Sequence, residues 1–304
     1  MKEKSPLELA KLSLDGLTTG DSFGEQFFRD PVHIKTTIQN RKVPAPPWHL
    51  TDDSIMALGI IEILEKFGTI NQFELARTFA RNYMKDPMRG YGGMAHRILQ
   101  EIALGTEWRT VSSMAFNGMG SLGNGGAMRA APIGAYFSEN LHTVVEQARL
   151  SAEVTHAHPE GQAGAIAVAV ASAYVCSSKN RFHSENRKEI LEAAIAYTPK
   201  SDTRTGIQKA LSLSFTHSIE SAVEILGNGS NVTAPDTVPF CLWCAARYIN
   251  DFEEALWETV SGLGDRDTTC AIVGGIVALS TGIEGIPSHW LSCRESLTNW
   301  QPHR

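Results

Sequence analysis

Two short acidic clusters hold the residues best suited to chemistry in this chain. The first is Thr51-Asp52-Asp53-Ser54 and the second is Asp265-Arg266-Asp267-Thr268. Each on its own fits a helix start, since Thr and Asp are favoured N-caps and acids in the first turn suit the helix dipole. Together they hold more charge than capping requires. Neighbouring carboxylates repel one another, and a cation removes the repulsion. Carboxylates and hydroxyls without a nearby His or Cys form a hard donor set, suited to Mg²⁺ or Mn²⁺ rather than zinc. Four such carboxylates could hold two ions roughly 3.5–4 Å apart, an arrangement that activates water and clamps substrate oxygens. The local pattern does not say whether residues 52 and 265 meet in space.

Two further segments have pocket chemistry. Gly118 to Gly126 contains five glycines in nine residues and is followed by Arg129. Such a backbone can adopt positive φ, approach a ligand closely and line an anion nest with its amides, and a diphosphate is a suitable occupant. A flexible connector has the same composition. Thr155-His156-Ala157-His158-Pro159-Glu160-Gly161 places two imidazoles beside a helix start. They could face a ribose or a base, or serve as an ordinary cap and core residue.

Helices must position these segments. Thr51 to Lys66 reads as a helix stopped by Gly68, and Asn71 with Glu74, like Asp251 with Glu254, forms an N-terminal capping pattern. Further helices are expected near 7–16, 95–104, 108–116, 140–156, 160–177, 187–197, 206–214, 218–226 and 236–249, with a last long one after Asp267. AGAIAVAVASAYV and CAIVGGIVALS are small-residue runs, expected at the centre of the molecule. VTAPDTVPF, interrupted by two prolines, is expected to be loop. The expectation is one all-α domain over 1–304, a compact orthogonal bundle of a dozen or more helices.

Composition agrees with a soluble interior-forming chain. Of the 304 residues, 42% are hydrophobic and 20% charged, enough to build a core. A net charge of −6 lacks the basic stripe of a nucleic-acid surface, so no nucleic-acid partner is expected. No apolar run reaches the ~18 residues of a membrane helix, and the first residues do not form a secretory signal. A cytoplasmic location without membrane association follows as the expectation. Five irregularly spaced cysteines do not form a disulfide framework, and Cys241 and Cys244 read as two small side chains one helical turn apart.

In order along the chain, GDSFGEQFF (20–28), TDDS (51–54), RGYGG (89–93), GSLGNGGAMRAAP (120–132), THAHPEGQAGA (155–165) and GDRDTT (264–269) resemble the ADP-ribosylglycohydrolase family. That family includes hydrolases of ADP-ribosyl-arginine and ADP-ribosyl-serine. The resemblance implies an all-α fold and two Mg²⁺ or Mn²⁺ ions held by Thr51, Asp52, Asp53, Asp265, Asp267 and Thr268. It implies a loop of Ser121, Gly123, Asn124 and Gly125 around the diphosphate and distal ribose, and a contact from His156. Tyr91 and Gly92 would belong to the substrate wall, with Asp86 as a target-side carboxylate. The implied reaction is hydrolysis of the bond between ADP-ribose and a modified protein or small molecule, with arginine the leading linkage and ADP-ribose the product. Asp53, Glu25 and Asp267 are the candidate catalytic carboxylates. The chain departs from the pattern at Phe28, where many members carry a glutamate. Glu25, three residues earlier, is the nearest acid. A non-catalytic ADP-ribose-binding protein, and a hydrolase of another nucleoside diphosphate or small glycoside, remain open as alternatives.

Overall fold

Glycine at every fourth position decides how the first helix packs. In the computed structural model, which describes residues 4–28, 33–178 and 186–300, the helix Pro6–Glu25 lies against the helix Arg266–Thr281. A Cβ added at Gly16 would fall 2.2 Å from the Gly274 carbonyl oxygen. At Gly20 it would fall 2.1 Å from that of Cys270, and at Gly24, 2.2 Å from that of Arg266. The partner number falls as the glycine number rises, so the two helices run antiparallel along a shared backbone seam. Only hydrogen fits there.

The described residues form 16 α-helices and four short 3-10 turns, with no β-strand, as an all-α fold requires. The small-residue runs take the central places expected of them. Every residue from Ala163 to Ala173 is buried in the helix Pro159–Ser177, and every residue from Thr268 to Ala278 is buried in Arg266–Thr281. A helix apolar on all sides has to lie inside. The largest core cluster runs from Phe23 to Trp290 and includes Cys241 and Cys244, which are free and buried. A second core gathers around Phe79, Leu99 and Ile133.

Several helix starts follow the sequence closely. Asp52–Phe67 is capped by Thr51 and ends at Gly68 in the left-handed conformation (φ 68°). Asn71 and Asp251 accept the backbone N–H of Glu74 and Glu254 at 3.1 and 3.0 Å. Two expectations need correction. The helix expected over 7–16 runs to Glu25, because the glycines that look like breakers are held by the seam. VTAPDTVPF is not all loop: the helix Ala234–Arg247 begins within it, with Pro235 in its first turn and Pro239 inside. A first-turn proline loses no helical hydrogen bond.

Candidate active site

The seam sets Asp21, on the first helix, beside the start of the Asp52–Phe67 helix. Asp21 is fully buried, and its carboxylate accepts the Thr51 N–H at 2.9 Å and the Thr51 hydroxyl at 2.7 Å. It also accepts the Ser54 N–H at 3.3 Å and the Ser54 hydroxyl. Thr51 in turn accepts the Asp53 N–H at 3.3 Å, which leaves the Asp52 and Asp53 side chains free of capping duty. Asp265 does not cap its helix either; its Oδ2 accepts from Asn124 Nδ2 at 2.6 Å.

The carboxylates of Asp21, Asp53 and Asp267 have oxygens within 4.8 Å of one another. Asp52, Asp53, Asp265, Asp267 and Thr268 line one cavity of about 620 Å³. The two acidic clusters therefore meet. Burial, then the neighbouring carboxylates, push Asp53 and Asp267 well above the usual range. Burial, then Asp21 and Asp265, push Asp52 up to about 8, and burial pushes Asp21 up to about 6 against its own hydrogen bonds. Asp53 Oδ1 is buried without a hydrogen-bond partner, while Oδ2 accepts the Thr268 hydroxyl at 3.4 Å. A buried, idle carboxylate oxygen among like charges is a site for a hard cation. The donor set fits Mg²⁺ or Mn²⁺.

The glycine loop forms another wall of the same cavity. Gly120, Ser121, Gly123, Asn124 and Gly125 line it together with His156 and His158. Only Gly118 and Gly120 use positive φ in this loop (88° and 75°). Gly123 and Gly125 are needed for another reason, close approach: a Cβ at Gly125 would fall 2.8 Å from His156 Cε1. Asn124 spans to Asp265 and so ties the loop to the acidic cluster.

Most of the remaining sequence candidates fall elsewhere. Gly92 lines the cavity, but Tyr91 does not; its ring is buried against Tyr83 and His96. Thr51 lies behind Asp53 rather than on the cavity surface. Glu25 is half-buried at the end of the first helix; it does not line the cavity, but its charge acts on Asp21 and Arg266. Phe28 sits in the following 3-10 turn, its ring 4.1 Å from the Arg266 guanidinium carbon. Asp86 is paired with Arg89 at 2.7 Å and does not line the cavity. Arg129 is fully buried and bonds to the Gly125 carbonyl rather than facing the cavity. Glu160 accepts the N–H groups of Asp202 and Thr203 at 2.6 and 3.0 Å, fastening the start of the helix Asp202–Ser212. Sequence reasoning gave Asp21 no role. Its signal was its place in GDSFGEQFF, the first of the segments that resemble the family, between Gly20 and Ser22.

Known proteins share this arrangement of sequence. The family model described as ADP-ribosylglycohydrolase matches residues 3–301. ADP-ribosylhydrolase ARH3 of Homo sapiens is 31% identical over 270 residues, covering 80% of this chain and 73% of its own length. An uncharacterized protein of Archaeoglobus fulgidus is 30% identical over 245 residues, covering 79% of this chain and 74% of its own. A solved structure described as an ADP-ribosylglycohydrolase-related protein complex aligns with 98% of this chain and 96% of that chain, at a TM-score of 0.69 and 21% identity; the fold is shared.

Proposed function

Because the chain belongs to the ADP-ribosylglycohydrolase family, and is thereby a glycohydrolase, we propose that it frees ADP-ribose from a modified protein or small molecule using two divalent cations. The observation that carries the metal half is the convergence of Asp52, Asp53, Asp265 and Asp267 on one cavity that also contains the glycine loop. Asp52, Asp53, Asp265, Asp267 and Thr268 would hold Mg²⁺ or Mn²⁺, with Thr51 behind them bonded to Asp53. Bound there, the cations would supply Lewis acidity, polarising a substrate oxygen and lowering the pKa of the attacking water.

The chain's own residues do the rest. The Ser121–Gly125 loop lines the cavity and suits a diphosphate, and His156 lines the same space. The bond from the ribose anomeric carbon to the target breaks through an oxocarbenium-like state, and water adds to that carbon. Asp53 or Asp267, both at the cavity surface, takes one proton from the water and passes it to the leaving group, while the other stays on the new anomeric hydroxyl. Glu25 lies off the cavity and is the weaker candidate for this step.

Arginine is the linkage that the sequence motifs favour. A second reading, an O-linked target such as serine, has its own observation: Asp86, the carboxylate that would meet a guanidinium, is bound by Arg89. The deciding experiment measures free ADP-ribose released from ADP-ribosyl-arginine and ADP-ribosyl-serine peptides, with Mg²⁺, with Mn²⁺ and with EDTA. Cation-dependent release from one peptide assigns the linkage. Equal release in EDTA refutes the metal reading.

A further inference from the structure

His156 and His158 both line the cavity, and each has its Nδ1 engaged by a donor whose direction is fixed. His158 Nδ1 lies 3.1 Å from the backbone N–H of Glu160, which can only donate. His156 Nδ1 lies 2.8 Å from Thr155 Oγ1. That hydroxyl already accepts from Arg129 Nη2 at 2.9 Å, and a guanidinium has no acceptor to offer in return. The Thr155 proton is thereby directed at His156 Nδ1. The opposite tautomer would leave a buried hydroxyl proton unbonded, since Thr155 is 1% exposed.

Arg129 is itself locked. Its Nη1 donates to the Gly125 carbonyl and its Nη2 to the Ser151 carbonyl, both at 2.9 Å, and its guanidinium carbon lies 4.6 Å from the centre of the Phe79 ring. The free edge of His156 lies along the glycine loop, where a Cβ at Gly125 would fall 3.0 Å from Nε2. Burial, then the charge of Arg129, push His156 down to about 3, so this ring is neutral at physiological pH.

We infer that Arg129 and Thr155 are positioning residues that hold His156 as the Nε2–H tautomer, and that the Glu160 amide does the same for His158. Two N–H donors then line the cavity beside the glycine loop. They recognise acceptor oxygens, such as those of a diphosphate, and reject a ligand that presents donors there. The ligand half of this inference rests on the ADP-ribose reading; the tautomer half does not.

Long-range ¹H–¹⁵N spectra of the ¹⁵N-labelled, Mg²⁺-loaded full chain at pH 7 test it directly. Both rings should show unprotonated Nδ1 and protonated Nε2. Thr155→Ser should keep the His156 pattern, whereas Thr155→Val should shift it toward a mixture of tautomers. A protonated Nδ1 on either ring, or an unchanged His156 pattern in Thr155→Val, overturns the assignment. Titrating ADP-ribose into the same sample should move both Nε2–H signals. If it does not bind, the ligand half falls while the tautomer result stands apart from it.

Discussion

Asp21 grips Thr51 with both of its carboxylate oxygens, Oδ2 on the backbone N–H at 2.9 Å and Oδ1 on the hydroxyl at 2.7 Å. The cap of the acidic helix is thus set from a different helix, 30 positions earlier. Asp21→Asn turns one acceptor into a donor that faces donors. We expect Mg²⁺ affinity to fall by about 10–100-fold, the range for partners that orient metal ligands, with a lower melting temperature. Calorimetric titration of Mg²⁺ checks this, and parental affinity in the variant would remove Asp21 from the site.

Asp53→Asn removes one of the three converging carboxylates while preserving shape. Turnover should fall by more than the ~100-fold upper range for an orienting partner, since Asp53 itself lies at the cavity surface. Melting temperature without metal should rise, because one buried charge among like charges is gone. Release assays paired with thermal melts in EDTA read both effects; a lower metal-free melting temperature would contradict the electrostatic account.

The metal-free protein should lose stability as pH rises, the reverse of ordinary acid sensitivity. Asp21 and Asp52 are raised to about 6 and about 8 from 3.8. The folded state therefore holds these protons after the unfolded chain has released them. Their penalty is absent below pH 4, grows as pH rises toward 8, and then levels off. Melting in EDTA should occur at lower temperature at pH 8 than at pH 5, and added Mg²⁺ should recover more at pH 8. Equal melting temperatures at both values would count against it.

Gly20→Ala and Gly93→Ala form a matched pair. A Cβ at Gly20 meets the Cys270 carbonyl at 2.1 Å, whereas at Gly93 nothing lies within 4 Å. The first should cost at least the ~1–3 kcal/mol of an overpacked core, and the second should stay within about 0.5 kcal/mol. Urea unfolding measures both.

Phe28→Leu keeps an apolar side chain but removes the ring face under Arg266. A partly exposed cation–π contact is worth about 0.5–1 kcal/mol, and a loss of that size is expected on urea unfolding. Activity should stay near the parent's, because Phe28 does not line the cavity. A collapse of turnover with unchanged stability would instead give position 28 a part in catalysis.

Much of the site was legible because the chemistry is local. Thr51-Asp52-Asp53 and Asp265-Arg266-Asp267-Thr268 stand out by charge density at helix starts, and the glycine loop by composition. What joins them is tertiary. Gly16, Gly20 and Gly24 look like interruptions in a helix until the carbonyls of Gly274, Cys270 and Arg266 are seen against them. Asp21, within the GDSFGEQFF segment, was given no role because its partners, Thr51 and Ser54, lie on another element. Tyr91 has the right neighbours in sequence, yet its side chain turns into the second core while the adjoining glycines face the cavity.

The glycine seam also has a consequence for biosynthesis. It joins an early helix to a late one, and the Ser13 hydroxyl that donates across it to the Gly275 carbonyl lies 262 positions earlier. At roughly 5–20 residues per second, a ribosome needs about 13–52 seconds to pass from one to the other. Throughout that interval Gly16, Gly20 and Gly24 lack the carbonyls they pack on, and only the neighbours made earlier, such as Ala57 and Ile61 beside Leu14 and Leu17, can cover the early helix. Closure of the acidic cluster, and loading with a cation, would then wait until Asp265 to Thr268 had been made.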